Sequence, residues 1–196
     1  HYAHEKVAVP ILMYHSLLKE QKRARLYVVS PDLFEAGLRY LKERGYETIF
    51  VQDLIDYVYE GKPLPEFPVM ITLDDGYYNN LVYVLPILER LDMKAVISVV
   101  GLYTDIFTDA PDPNPNYAHL TYAQIREMAD SGHVEIQNHS YDMHSMDRRM
   151  GATRLPGESF EQYCAVLTED TLKMQNLLIE KTGIRPKAYT YPLGQL

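Results

Sequence analysis

The sequence predicts an α/β domain in which a parallel sheet is covered by helices. Three observations carry that prediction. Short apolar runs such as VMITL (69–73) and AVISVV (95–100) have the length and β-branched content of strands buried on both faces. Between such runs lie longer stretches with apolar residues at helical spacing, opened by capping residues and closed by glycine. The 196 residues, 46% apolar and 23% charged, have the make-up of one globular domain spanning 1–196. Six strands of this kind suit either an open α/β sheet or a closed barrel.

The elements follow in order. Residues 9–15 (VPILMYH) read as a buried strand. Ser30 then Pro31 give an N-cap and a first-turn proline; Phe34, Leu38 and Leu41 share one helical face, and Gly45 ends the helix. A short strand over 47–50 and a helix over 51–59 precede a proline-rich loop, 61–68. The strand 69–73 runs into Asp74-Asp75-Gly76; a helix over 81–91 leads to the strand at 95–100. Residues 101–119 read as a long loop, and loops of that length are usually functional or mobile. Thr121 with Gln124 and Ser159 with Gln162 are capping boxes. The first opens a helix ending at Gly132. The second opens one that buries Phe160, Tyr163, Leu167, Met174 and Leu178. Strands over 134–138 and 187–191 complete the set, with a loop over 141–157.

Composition excludes some functions. Nineteen Lys+Arg against 27 Asp+Glu leave a net charge of −8, unlike the basic footprint that nucleic acid requires. A single cysteine, Cys164, excludes an intrachain disulfide. No apolar run approaches the roughly 20 residues of a membrane-spanning helix.

Polar residues collect just after strand ends, the edge where parallel α/β folds build sites. Asp74 and Asp75 are adjacent carboxylates that repel; a divalent cation on one would leave the other free as a base. The competing reading is a turn, with Asp and Gly chosen for its geometry. His139 and His144 converge only if the chain bends between them, as at a strand end followed by a loop. Two histidines and one carboxylate make an open metal site. His15 ends a strand of the same sheet, whereas His133 starts one and reads as structural. His1, His4 and His119 have no supporting context. The turn Pro192-Leu193-Gly194 follows the last strand and is rigid enough to aim a backbone N–H.

Together these segments resemble the polysaccharide deacetylases, the NodB-homology domain of carbohydrate esterase family 4. Thr72-Leu73-Asp74-Asp75-Gly76 is similar to the first family motif, the stretch from Gly132 through Asn138-His139-Ser140 to the approach and start of the second, and Tyr191-Pro192-Leu193-Gly194 to the third. Leu73 stands for the usual Phe, the His-to-His interval is one residue longer than the commonest form, and Thr190 stands where many members have an Arg that orients the base. The fourth and fifth motifs are not found, and the chain has no Trp to wall an acetyl pocket. Leu12-Met13-Tyr14-His15 resembles the start of the circularly permuted poly-N-acetylglucosamine deacetylase subgroup, whose catalytic His lies on the first strand.

The resemblance implies a distorted (β/α) barrel of the NodB type, incomplete at the C-terminus. It implies a divalent metal, usually Zn²⁺ with Co²⁺, Ni²⁺ or Mn²⁺ as substitutes, held by Asp75, His139 and His144. Asp74 would be the general base, His15 the general acid and Leu193 the oxyanion's N–H donor, with Tyr191 and Pro192 toward substrate. The expected activity is hydrolysis of N-acetyl groups on an amino-sugar polymer such as poly-N-acetylglucosamine, peptidoglycan or chitin, in the cell envelope or outside the cell. An O-acetyl esterase or small amidase on the same metal site, or a non-catalytic glycan-binding module, are the alternatives.

Overall fold

The computed structural model describes residues 7–20, 26–147 and 149–195. His1 and His4 lie outside the described residues.

The architecture is the expected α/β one. The strands are β1 (Ile11–Tyr14), β2 (Ser16–Leu17), β3 (Val28–Val29), β4 (Glu47–Thr48), β5 (Pro68–Leu73), β6 (Ala95–Val99) and β7 (Val134–Asn138). The helices are α1 (Pro31–Glu43), α2 (Val51–Glu60), α3 (Leu85–Leu91), α4 (Gly101–Asp109), α5 (Tyr122–Asp130) and α6 (Phe160–Thr182). The main sheet runs β1-β5-β6-β7, with β4 against the start of β5, and every pair is parallel. β2 and β3 form a separate small parallel pair.

Alternation along the strands divides the core. Val69, Ile71 and Leu73 of β5, Ala95, Ile97 and Val99 of β6, and Val134 and Ile136 of β7 face one side. There they pack with Phe34 and Leu38 of α1, Leu85 and Leu88 of α3, Ile125 and Met128 of α5, and Met174 and Leu178 of α6. Met70 and Val96 face the other side, with Ile49 and the α2 residues Val51 and Leu54. Fully burying side chains of this size stabilises by about 1.5–3 kcal/mol each, so the four-helix face holds most of the core.

Several expectations need correction. Residues 9–15 are not a buried strand: β1 is an edge strand whose Ile11 and Met13 are 57% and 58% exposed. The expected loop 101–119 begins with a helix, α4. Its N-terminus has no side-chain cap; Gly101 and Leu102 donate instead to the carbonyls of Ser140 and Tyr141, about 40 residues away. The expected strand 187–191 is a single parallel bridge between Tyr189 and Asn138, so the sheet holds five strands, and no strand closes it into a barrel among the described residues. The expected helix 81–91 opens with a π-helical turn, Asn80–Val84. Phe160 is exposed because it sits on the first turn of α6, ahead of the buried Met174 and Leu178. No helix among the described residues is long and apolar enough to cross a membrane.

Candidate active site

The carboxyl ends of β1, β5 and β7 bring five of the sequence-predicted residues together. β5 ends at Leu73, so Asp74 and Asp75 emerge side by side, both 6% exposed. The Asp74 N–H donates to the Tyr14 carbonyl at 3.0 Å, continuing the β1–β5 ladder into the site. Asp75 then takes a left-handed conformation, φ 73°. Such a conformation costs a non-glycine residue roughly 1–2 kcal/mol. Of the four non-glycine residues with positive φ among the described residues, three are Asp75, Ser140 and Leu193; the fourth, Asp92, caps a helix. Strain of this kind collects where function over-determines the backbone.

His139 follows β7 directly. Its Nδ1 donates to the Thr190 carbonyl at 2.9 Å, which leaves Nε2 as the ring atom turned toward Asp75. His144 reaches the same point from the loop after β7. That loop is pinned by α6: the Asp170 carboxylate accepts from the N–H groups of Tyr141 and Asp142, each at 2.8 Å. The Asn138 side chain accepts from Ser140 N–H at 2.8 Å and donates to the Thr171 carbonyl at 3.0 Å.

The two Nε2 atoms lie 3.4 Å (His139) and 3.0 Å (His144) from Asp75 Oδ1. Neither contact has hydrogen-bond geometry, so Asp75 Oδ1 is a buried carboxylate oxygen without a donor. Three donor atoms within 4.8 Å of one another, one of them orphaned, fit a divalent ion. Tetrahedral zinc, with bonds of about 2.0–2.1 Å, sets its donors about 3.3 Å apart.

Electrostatics separates the two carboxylates. Burial alone would raise Asp75, but the His139 and His144 imidazoles outweigh it and hold the carboxyl well below the usual carboxylate range. Burial pushes Asp74 up, against the pull of His139 and His15, and Asp75 adds to the rise. The Asp75 carboxylate raises His144. Neighbouring carboxylates whose affinities for protons are driven apart are a recurrent acid–base arrangement.

His15 faces Asp74 across 4.0 Å, Nε2 to Oδ2, and rests on the Tyr27 ring at 4.7 Å. Asn80 donates to the His15 carbonyl at 3.0 Å; Asn79 bonds the Leu17 N–H at 3.0 Å and Ser16 Oγ at 2.9 Å. These wholly buried asparagines tie the β1 end to the β5 end. Thr190 does not stand in for an arginine at the base: its hydroxyl meets Ser98 Oγ at 2.7 Å and its carbonyl serves His139. Pro192 is buried, Tyr191 is exposed, and Leu193 is left-handed at φ 58° on a segment joined to β7 through Tyr189.

Sequence reasoning missed His119. Its Nδ1 lies 2.9 Å from the Asp75 carbonyl, and its ring meets those of Tyr77 and Tyr103. Burial lowers its basicity, which favours the neutral ring. Asp170, Asn79 and Asn80 were missed as well; the Tyr-Tyr-Asn-Asn run after Gly76 was the one local signal. His133, read as structural, bonds the Met93 carbonyl at the opposite sheet edge.

Fold and site together define an α/β protein with an Asp–His–His metal-type centre at the carboxyl edge of a parallel sheet. Residues 61–196 match the family described as polysaccharide deacetylase, and the chain belongs to that family. Family members generally use a divalent metal. The chain is 26% identical, over 94% of its length, to the poly-β-1,6-N-acetyl-D-glucosamine N-deacetylase of Escherichia coli K12, and spans 30% of that relative's length. It superposes on a de-N-acetylase from Aggregatibacter actinomycetemcomitans with a TM-score of 0.77 at 27% identity, covering 91% of this chain and 76% of that one. It also superposes on the Streptococcus pyogenes deacetylase PplD in complex with acetate, with a TM-score of 0.76 at 25% identity, covering 97% and 76%.

Proposed function

We propose that this chain is a zinc-dependent N-deacetylase acting on a polymer of N-acetylglucosamine of the β-1,6-linked kind. The observation that carries the reading is the orphaned Asp75 Oδ1 beside two Nε2 atoms, with Asp74 and His15 facing each other next to it. Support comes from the E. coli relative, named for that polymer, and from the solved deacetylase that holds acetate.

Asp75, His139 and His144 would hold the ion. When bound, a divalent ion supplies Lewis-acid polarisation of the acetyl carbonyl and an acidified water. Asp74, outside the Asp75–His139–His144 ligand set, takes the proton of the attacking water. The Leu193 N–H is offered to the developing oxyanion, and His15 gives a proton to the departing amine. Tyr191, exposed beside the buried Pro192, presents a ring face to sugar. The polymer lies in the cell envelope or outside the cell, and the chain acts there.

The test is acetate release by the zinc-loaded chain from poly-β-1,6-N-acetylglucosamine, chitin oligomers and acetylxylan. The expected result is release from the first and little from the others. Release from acetylxylan alone would make the chain an O-acetyl esterase. Glycan binding without metal uptake or acetate release would make it a binding module.

A further inference from the structure

We infer that His119 is a positioning residue for the metal centre, holding the main chain of Asp75 so that its carboxylate meets His139 and His144. This deepens the proposed metal site and rests on it.

The observation begins with the turn after β5. Asp75 and Gly76 are both left-handed, φ 73° and 67°, so two successive carbonyls leave the strand direction and need new donors. Both find them in one short segment. The Asp75 carbonyl meets His119 Nδ1 at 2.9 Å, and the Gly76 carbonyl accepts from the Leu120 N–H at 2.8 Å. The Tyr78 N–H donates to the Ala118 carbonyl at 2.8 Å, which completes an antiparallel bridge between Tyr77 and His119. Two of these three bonds are main chain to main chain and would survive any side chain at position 119. The bond to Asp75 is the exception, because it needs a ring N–H. The ring is fixed by Tyr77 at 4.6 Å and 28° and by Tyr103 at 4.5 Å and 39°. Tyr103 also donates to the His144 carbonyl at 3.3 Å. The aromatic cluster that orients His119 therefore touches a second ligand of the centre. Asp75 carries the ligand oxygen one side chain away from the carbonyl that His119 holds, so loss of this bond frees the backbone that aims the ligand. Groups that orient ligands in this way are typically worth 10–100-fold in metal affinity.

The test separates the donor from the ring. His119→Phe keeps an aromatic ring against Tyr77 and Tyr103 and removes the N–H. His119→Asn removes the ring and places an amide N–H where Nδ1 stood. Zinc dissociation constants are measured by chelator competition, together with the Co²⁺ absorption spectrum. The expected result is zinc affinity weakened roughly 10–100-fold in His119→Phe, with altered Co²⁺ bands, and recovery to within about threefold of wild type in His119→Asn. Unchanged affinity and spectrum in His119→Phe, or an Asn variant as weak as the Phe variant, would overturn the role. On the wild type, ¹⁵N NMR should find His119 protonated at Nδ1; the Nε2–H tautomer would overturn it without any variant. A wild type that takes up no zinc or cobalt would overturn the metal centre itself, a different failure from a centre that ignores His119.

Discussion

The two ends of β7 each carry a histidine. His133 precedes the strand and His139 follows it, and both fix Nδ1 on a main-chain carbonyl, Met93 at 3.0 Å and Thr190 at 2.9 Å. Beyond that the ends differ. Next to His133 lies a cavity of about 610 Å³, in whose wall Lys94 N–H donates to Thr48 Oγ1 at 2.7 Å and Lys94 Nζ lies 3.7 Å from Asp53. Next to His139 lies a buried carboxylate oxygen with no donor, flanked by a second imidazole and held on a left-handed backbone. Among the described residues the cavity wall holds no buried side-chain polar atom without a partner, whereas the His139 end does, and leaving a buried acceptor unsatisfied costs about 1–3 kcal/mol unless a ligand meets it.

Removing each histidine in turn separates the two ends most strongly. His139→Ala should lose bound zinc and lower kcat/KM by roughly 10³-fold or more, since Lewis-acid stabilisation is worth several kcal/mol. His133→Ala should keep metal stoichiometry and lose only the one hydrogen bond, about 0.5–1.5 kcal/mol of stability. Metal analysis and acetate release read both. Within the site end, Asp74→Asn should retain zinc and lower kcat by roughly 10²–10⁴-fold; a zinc-loaded variant with full activity would remove Asp74 as the base.

Glycines give a smaller contrast. Gly76 and Gly132 are both left-handed, but a Cβ on Gly76 would lie 2.7 Å from Val99 Cγ1, whereas one on Gly132 meets nothing within 4 Å. Gly132→Ala should cost about 1–2 kcal/mol for the backbone alone, and Gly76→Ala about 1–3 kcal/mol more for the overlap, measured by denaturant unfolding.

The smallest effect is acid loosening of the loop that carries His144. Arg149 grips Glu158 through two bonds, at 3.1 and 2.6 Å, and with the Leu155 N–H it holds the Glu158 carboxyl below its ordinary value of 4.5. A lowered carboxylate contributes stability that is complete above its unfolded value and is lost as pH falls through the folded one. Amide protection factors in residues 149–158, with the intrinsic slowing of exchange in acid divided out, should therefore fall as pH drops below 4.5, before the core opens.

What was legible in the sequence follows the range of the forces involved. Local signals succeeded: Ser30 with Pro31 opens α1, and Thr121–Gln124 and Ser159–Gln162 cap α5 and α6 as read. Asp74, Asp75, His139 and His144 could be expected to lie together because strand ends mark one edge of a parallel sheet, and the structure brings them together there. The misses were caps and contacts supplied from afar. α4 is capped by carbonyls of residues 140 and 141, and α2 by the Glu135 carboxylate, which accepts from the N–H groups of Val51 and Gln52. β1 reads as buried because its residues are apolar, yet among the described residues it pairs with β5 alone and leaves Ile11 and Met13 to solvent. His119 was invisible because its partner, the Asp75 carbonyl, lies 44 residues away and is set by a turn rather than by a motif.

If Asp75, His139 and His144 hold one divalent ion, zinc-edge X-ray absorption of the zinc-loaded chain will show it. The expected shell is a four-coordinate ion with two imidazoles and oxygen donors and no sulfur. A shell with one imidazole or none, or with the Cys164 thiolate, would contradict it.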